Sequence, residues 1–161
     1  MSKTVVVRAA DRLLVSGDLC LPGSGSSSVV FVVDMSGSMA KESPANDPLT
    51  GGTCGRLAAL RAVTGELNAN PTLASMTEVS MIGFSATAGV QFAQLQPAAA
   101  LTQLTADNVC RSLSWTDYAI AIDLIEPAPS DKQLIVYLIS DGLPKNAAGD
   151  ARRSGLEAAV R

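Results

Sequence analysis

The sequence predicts an α/β domain on a mainly parallel sheet, and three features point there. Two runs, Val29-Val30-Phe31-Val32-Val33 and Leu134-Ile135-Val136-Tyr137-Leu138-Ile139, are continuously apolar and rich in β-branched and aromatic residues. Continuous rather than alternating apolarity marks strands covered on both faces, as in parallel sheets flanked by helices. Segments of helical periodicity lie between them, and strands alternating with helices wind into such a sheet. Each run also leads into an acidic residue, Asp34 directly and Asp141 after Ser140, and open α/β sheets gather functional groups at the carboxyl ends of their strands. The expected architecture is Rossmann-like and doubly wound, with helices on both faces and one antiparallel edge strand.

From the amino terminus, Thr4–Ala9 and Leu13–Leu21 read as two short strands turning at Ala10-Asp11-Arg12. Pro22 and the stretch Gly23-Ser24-Gly25-Ser26-Ser27-Ser28 then form a flexible connector. Residues 1–28 are thus an expected strand extension and linker, and residues 29–161 the main domain. Cys20 sits in an apolar run and reads as a small buried hydrophobe. After the Val29–Val33 strand, residues 40–55 are rich in Pro, Gly, Asn and Thr and predict a long loop. A helix is expected from Arg56 to Asn68, with Leu57, Leu60, Thr64 and Leu67 on one stripe, and Asn70-Pro71 should stop it. Thr77–Ser85 and Gly89–Gln94 read as strands whose short connection requires antiparallel pairing. A helical turn follows at Ala106–Leu113, then a helix at Tyr118–Ile125 that ends before Pro127 and Pro129. Gln133–Ile139 reads as the second strand buried on both faces. A final helix, Asp150–Val160, should carry Arg152-Arg153 on its solvated side.

Composition narrows the chemistry. The chain has 161 residues, 47% apolar and 17% charged, which suits one core-forming domain. It contains no histidine, which removes every imidazole base and the commonest transition-metal ligand. The three cysteines, at 20, 54 and 110, are too dispersed for a closed zinc site. A metal here must be held by oxygen, which selects Mg²⁺, Mn²⁺ or Ca²⁺. With 12 basic and 15 acidic residues the net charge is −3, and no basic stripe suits nucleic acid. No apolar run reaches the ~18 residues of a membrane span. The start, Met-Ser-Lys-Thr-Val-Val-Val-Arg, does not read as a signal peptide, and with an odd cysteine count it predicts reduced thiols in a cytoplasm.

The chemistry-bearing constellation is Asp34-Met35-Ser36-Gly37-Ser38. In extended backbone, residues i, i+2 and i+4 point the same way, so one carboxylate and two hydroxyls can converge. Gly37 permits a tight turn. Asp141, followed by Gly142 at the end of the other apolar strand, adds a carboxylate from a neighbouring position. Hard oxygen groups of this kind suit a small divalent cation. Taken singly, Ser36-Gly37-Ser38 and Asp141-Gly142 are also ordinary turn sequences; their placement directly after two apolar strands favours the metal reading.

The stretch Val29–Met39 resembles the first motif of the von Willebrand factor A domain family, a strand ending in Asp-x-Ser-x-Ser. Trp115-Thr116-Asp117-Tyr118-Ala119 is similar to the second, a loop threonine opening a helix. Leu138-Ile139-Ser140-Asp141-Gly142-Leu143-Pro144 is similar to the third, and the resemblance covers residues 28–161. It implies a metal-ion-dependent adhesion site made by Asp34, Ser36, Ser38, Thr116 and Asp141, with Mg²⁺ the first expectation and Mn²⁺ or Ca²⁺ the alternatives. It further implies that the serines and the threonine coordinate directly while the aspartates often act through water. Met35, Gly37, Trp115, Asp117 and Gly142 are candidate partner-contacting or site-shaping residues. Trp115 stands where relatives usually place glycine, and it either shapes partner choice or packs over the edge of the site. Asp117 is expected chiefly as a helix cap.

Relatives continue past the last helix with at least one more strand, so their usual order would leave Leu134–Ile139 as an open apolar edge. Such an edge invites pairing, and downstream sequence, the amino-terminal strands or another chain is expected to cover it. The functional expectation is metal-dependent capture of a partner protein through its Asp or Glu, and not catalysis. The partner could be an intracellular assembly beside an AAA+ ATPase, which the thiols favour. It could also lie outside the cell, as for an adhesin or surface-filament subunit, which a Cys54–Cys110 pairing would favour. A metal-dependent hydrolase with Asp34 as nucleophile is a further alternative, but those enzymes place a second carboxylate where Ser36 stands. A structural domain with an unused metal site is the last.

Overall fold

A computed structural model of the chain describes residues 8–9, 12–13, 25–40 and 47–141. The expected helix Asp150–Val160, Gly142, Arg152-Arg153, Cys20 and most of the amino-terminal extension lie outside the described residues. Two short strands, β1 (Arg8–Ala9) and β2 (Arg12–Leu13), pair antiparallel.

The main sheet is built on β3 (Ser26–Asp34), which starts three residues ahead of the valine run. It is followed by α1 (Gly37–Ala40), α2 (Gly55–Ala69) and α3 (Pro71–Met76). Strands β4 (Thr77–Phe84) and β5 (Ala88–Leu95) form the expected antiparallel pair. Next come α4 (Pro97–Gln103), α5 (Ala106–Val109), α6 (Ala119–Ile122) and β6 (Lys132–Ile139). The strand order is β5-β4-β3-β6, with β3 parallel to both β4 and β6. This is the mainly parallel α/β sheet with one antiparallel edge strand that the sequence predicts.

Every residue of β3 from Val29 to Asp34 is buried, because helices cover both of its faces. Val29, Phe31 and Val33 point into the larger cluster, with Leu57, Leu60, Leu67, Val79, Met81, Ala100, Leu104 and Val109. Val30 and Val32 point the other way, onto Ile82, Phe84, Tyr118 and Ala121. Burying each such side chain contributes about 1.5–3 kcal/mol, so this strand is the best-anchored element available to carry a site. Helix α2 buries Leu57, Leu60, Thr64 and Leu67, as its periodicity predicts, and Arg56 besides.

Three expectations are corrected. Pro71 does not only stop a helix: Asn70 accepts hydrogen bonds from the Thr72 and Leu73 amides (3.0 and 3.3 Å) and caps α3, with Pro71 in its first turn. The missing Pro amide is one that a helix start leaves unpaired anyway, so the same dipeptide ends one helix and begins another. Helix α4 also starts on a proline, Pro97, and was not anticipated. Strand β6 is not buried on both faces. Ile135, Tyr137 and Ile139 pack on the larger cluster, and the Phe31 and Tyr137 rings lie 5.7 Å apart. Leu134, Val136 and Leu138, on the opposite face, are 37%, 42% and 37% exposed. Among the described residues no strand pairs with the outer edge of β6.

Candidate metal centre

Parallel register aligns the carboxyl ends of the three parallel strands, β4, β3 and β6. Asp34 lies opposite Phe84 of β4, and Val33 lies opposite Ile139, the last residue of β6. Ser140 therefore arrives at the level of Asp34, and its hydroxyl donates to Asp34 Oδ2 (2.6 Å). Asp34 Oδ1 accepts from the Ser36 amide (2.8 Å), which folds the chain back into a tight loop just after the strand. The Ser36 and Ser38 hydroxyls then lie 3.1 Å apart; they converge through this turn into α1 and not through the extended alternation expected from sequence.

The loop is held from three sides through its main chain. The Met35 amide donates to Phe84 O (2.7 Å). Met35 O accepts from the Leu113 amide (2.7 Å), and the Gly37 amide donates to Ser114 O (3.0 Å). Arg56 Nη1 donates to Asp34 O. Met35 itself is 1% exposed and packs against Gly83, where a Cβ would come within 2.4 Å of Met35 Cε.

Thr116 is buried at 6% exposure, on the segment that pins Met35 and Gly37. The next amide, Asp117, donates to Ser85 O (2.9 Å), tying this segment to the end of β4. Asp117 Oδ1 accepts from the Ala119 amide (3.1 Å), a local bond just ahead of α6, whose N-cap position is Tyr118 and not Asp117 as expected. Asp141 is partly buried and close enough to Asp34 for their charges to interact. Trp115 is 45% exposed, as is Leu113.

Burial raises the Asp34 pKa above its ordinary value, with a further push from the Asp141 charge; hydrogen bonds from Ser140 and Ser36 hold it down. Its carboxylate is thus buried and beside a second carboxylate. Arg56, 3% exposed, does not neutralise it directly, because its guanidinium bonds the Asp34 carbonyl and makes an ion contact with Asp47 (Nε–Oδ2 2.8 Å). Burial pulls Arg56 below its usual range, opposed by Asp47, Asp34 and Asp141. Tyr118 closes the network: its hydroxyl bonds Ser140, and burial pushes its pKa up to about 12.

Among the described residues no three His, Cys, Asp or Glu cluster to hold a metal. A cation here would depend on hydroxyls. The residues fit that demand: two serine hydroxyls share one locus, and a buried carboxylate stands behind them with both oxygens already engaged by Ser36 and Ser140. Such a carboxylate supplies charge without needing to bind directly. Sequence reasoning missed Arg56, Ser140, Tyr118 and Asp47. Arg56 carried one readable sign, a charged residue at the start of an apolar helical stripe.

The expectation of reduced thiols is also corrected. Cys54 and Cys110 form a disulfide, with Cα atoms 5.9 Å apart and both residues buried. Local sequence could not reveal it, because 56 residues separate the two and only the packing of α2 on α5 brings them together. The thiol-based ground for a cytoplasmic location falls with it. Among the described residues no helix is long and apolar enough to cross a membrane.

No protein-family model and no curated protein match the chain. Solved structures do. A variant of the PilB minor pilin from Streptococcus sanguinis superimposes with TM-score 0.54 at 20% identity, over 78% of this chain and 32% of that one. The vWF domain of the type V pili tip protein Mfa5 from Porphyromonas gingivalis gives 0.53 at 16% identity, over 76% and 40%. The pilus adhesin SpaC from Lactobacillus rhamnosus GG gives 0.53 at 20%, over 77% and 16%. The fold is therefore of the von Willebrand factor A type. The chain spans between 16% and 40% of the length of these proteins.

Proposed function

We propose that this chain is a metal-dependent protein-interaction domain of an adhesive surface assembly, in which a divalent cation held at Asp34, Ser36, Ser38, Thr116 and Asp141 captures an acidic side chain of a partner. The supporting observation is the buried Asp34 carboxylate beneath the paired Ser36 and Ser38 hydroxyls. A cation held by neutral hydroxyls, with carboxylates acting from behind, keeps much of its positive charge and an open position for a partner's Asp or Glu. Mg²⁺ suits the donor set best, with Mn²⁺ and Ca²⁺ as alternatives. The half-exposed Trp115 and Leu113 give the rim an apolar contact for residues flanking that acid. The reading is binding rather than turnover, since the chain has no histidine and Asp34, the buried carboxylate of the site among the described residues, is bound on both oxygens.

Likeness in fold to a minor pilin, a pilus tip protein and a pilus adhesin supports the surface-assembly setting. So does the Cys54–Cys110 disulfide, since disulfides persist in oxidising compartments. Magnesium titration followed by calorimetry, with a pull-down from surface extracts in Mg²⁺ and in chelator, tests the reading. Wild type should bind the cation and retain a partner only in Mg²⁺, and Asp34→Ala should do neither. Partner retention unchanged by chelator would refute it.

A further inference from the structure

Two separate segments hold the main chain of the Asp34–Ser38 loop from outside its own strand pair, and one covalent bond joins them. The first is the start of α2, where Arg56 Nη1 donates to Asp34 O. The second is the stretch after α5, where the Leu113 amide and Ser114 carbonyl clasp Met35 O and the Gly37 amide at 2.7 and 3.0 Å. Cys54 is the residue immediately before α2, two positions ahead of Arg56. Cys110 is the residue immediately after α5, three ahead of Leu113. Their disulfide closes the ring Cys54–Arg56–Asp34–Gly37–Ser114–Cys110.

The geometry points to a brace: the Cys54–Cys110 disulfide, with Arg56 and Asp47, positions the Asp34–Ser38 loop so that Ser36 and Ser38 present their hydroxyls to one cation. Asp47 makes the arm stiff. Its carboxylate accepts from the Gly55 and Arg56 amides (2.6 and 3.1 Å) while pairing with the Arg56 side chain, so Arg56 is oriented at both backbone and head. Among the described residues Arg56 Nη2 is buried with no hydrogen-bond partner. A guanidinium kept buried and only partly satisfied costs stability, which is intelligible if its place beside Asp34 O is what the site requires. The hydroxyls themselves have rotational freedom, so the separation of their backbones, set by the two clasps, decides whether they converge. Arg56 and the disulfide act through the loop and are positioning elements.

This inference rests on the cation reading above, and its test separates the two. Mg²⁺ binding is measured by calorimetry on the oxidised protein, on protein reduced by an excess of a dithiol, and on Cys54→Ala/Cys110→Ala. Near-UV circular dichroism establishes which forms are folded, and urea unfolding in chelator reports stability alone. The disulfide-free forms should remain folded and bind Mg²⁺ about 10- to 100-fold more weakly, the range for outer-shell supports of a metal. By linkage, saturating Mg²⁺ should make the disulfide harder to reduce by the same factor. Lower stability with unchanged affinity would assign the disulfide a structural role only and overturn the proposal. If the disulfide-free forms do not fold, oxidised Arg56→Lys carries the test. It keeps the charge but lacks the planar fork that reaches both Asp34 O and Asp47, and its affinity should fall about tenfold; an unchanged value overturns the proposal. An oxidised wild type that binds no Mg²⁺ refutes the cation reading itself, and the brace with it.

Discussion

Removing the Asp47 carboxylate would strand a buried guanidinium. The Asp47 and Arg56 side chains are 15% and 2% exposed, and Arg56 Nε lies 2.8 Å from Asp47 Oδ2. Deleting one partner of a buried pair costs about 3–5 kcal/mol, because the remaining charge stays desolvated. Asp47 retains some solvent, which argues for the low end, near 3 kcal/mol. The same carboxylate also accepts from the first two amides of α2, a capping role worth about 1 kcal/mol. Asp47→Ala should therefore cost about 4 kcal/mol, a large part of the ~5–15 kcal/mol that holds a domain together. The assay is urea unfolding of the oxidised protein in chelator, with the shift in midpoint converted through the measured slope. The double variant Asp47→Ala/Arg56→Met removes the stranded charge and should be more stable than Asp47→Ala alone by about 2 kcal/mol, since apolar replacement of a buried pair is often near neutral. A loss under 1 kcal/mol in Asp47→Ala, or a double variant no better than the single, would show that the pair is not the buried strut described.

Other outcomes follow from neighbouring features. Mg²⁺ at about 100 times its dissociation constant should stabilise the wild type by ~2.7 kcal/mol, a rise of roughly 5–10 °C in Tm, and Asp34→Ala should lose that rise entirely. Gly83→Ala places a Cβ 2.4 Å from Met35 Cε and 2.8 Å from Sδ, which should cost about 1–3 kcal/mol of overpacking. A second change, Met35→Ala, should relieve that clash, and unfolding midpoints of the three variants check both. Burial pushes the Tyr118 pKa up to about 12 from 10.0, so the folded state favours the neutral phenol. Its contribution to stability is complete below pH 10.0 and is lost as pH rises through about 12. The absorbance difference at ~295 nm between wild type and Tyr118→Phe should appear only near that upper value, and a tyrosinate signal near pH 10 in that difference would refute the burial of the Tyr118 hydroxyl.

The amino-acid sequence by itself determined the scaffold of the site. The unbroken apolar run Val29–Val33 predicts cover on both faces, and β3 has it. Asp34, Ser36 and Ser38 lie close in sequence and come together locally, but through a turn into the helical segment Gly37–Ala40 and not through the extended alternation expected from sequence. The antiparallel β4–β5 pair was readable because its connection is too short for any other arrangement. What only the tertiary structure decided are the relations between segments distant in the chain. The apolar run in β6 looks the same whether one face or both are covered; its expected edge position is met among the described residues, but only the packed structure shows that Leu134, Val136 and Leu138 are exposed on one face. Ser140 reaches Asp34 because parallel register levels β6 with β3, and Arg56 reaches the Asp34 carbonyl because the first turn of α2 lies beside the end of β3. The Cys54–Cys110 bond belongs to the same class. Periodicity and spacing report forces acting over a few residues, whereas these contacts exist only after the chain has packed, and they are what hold the candidate site in shape.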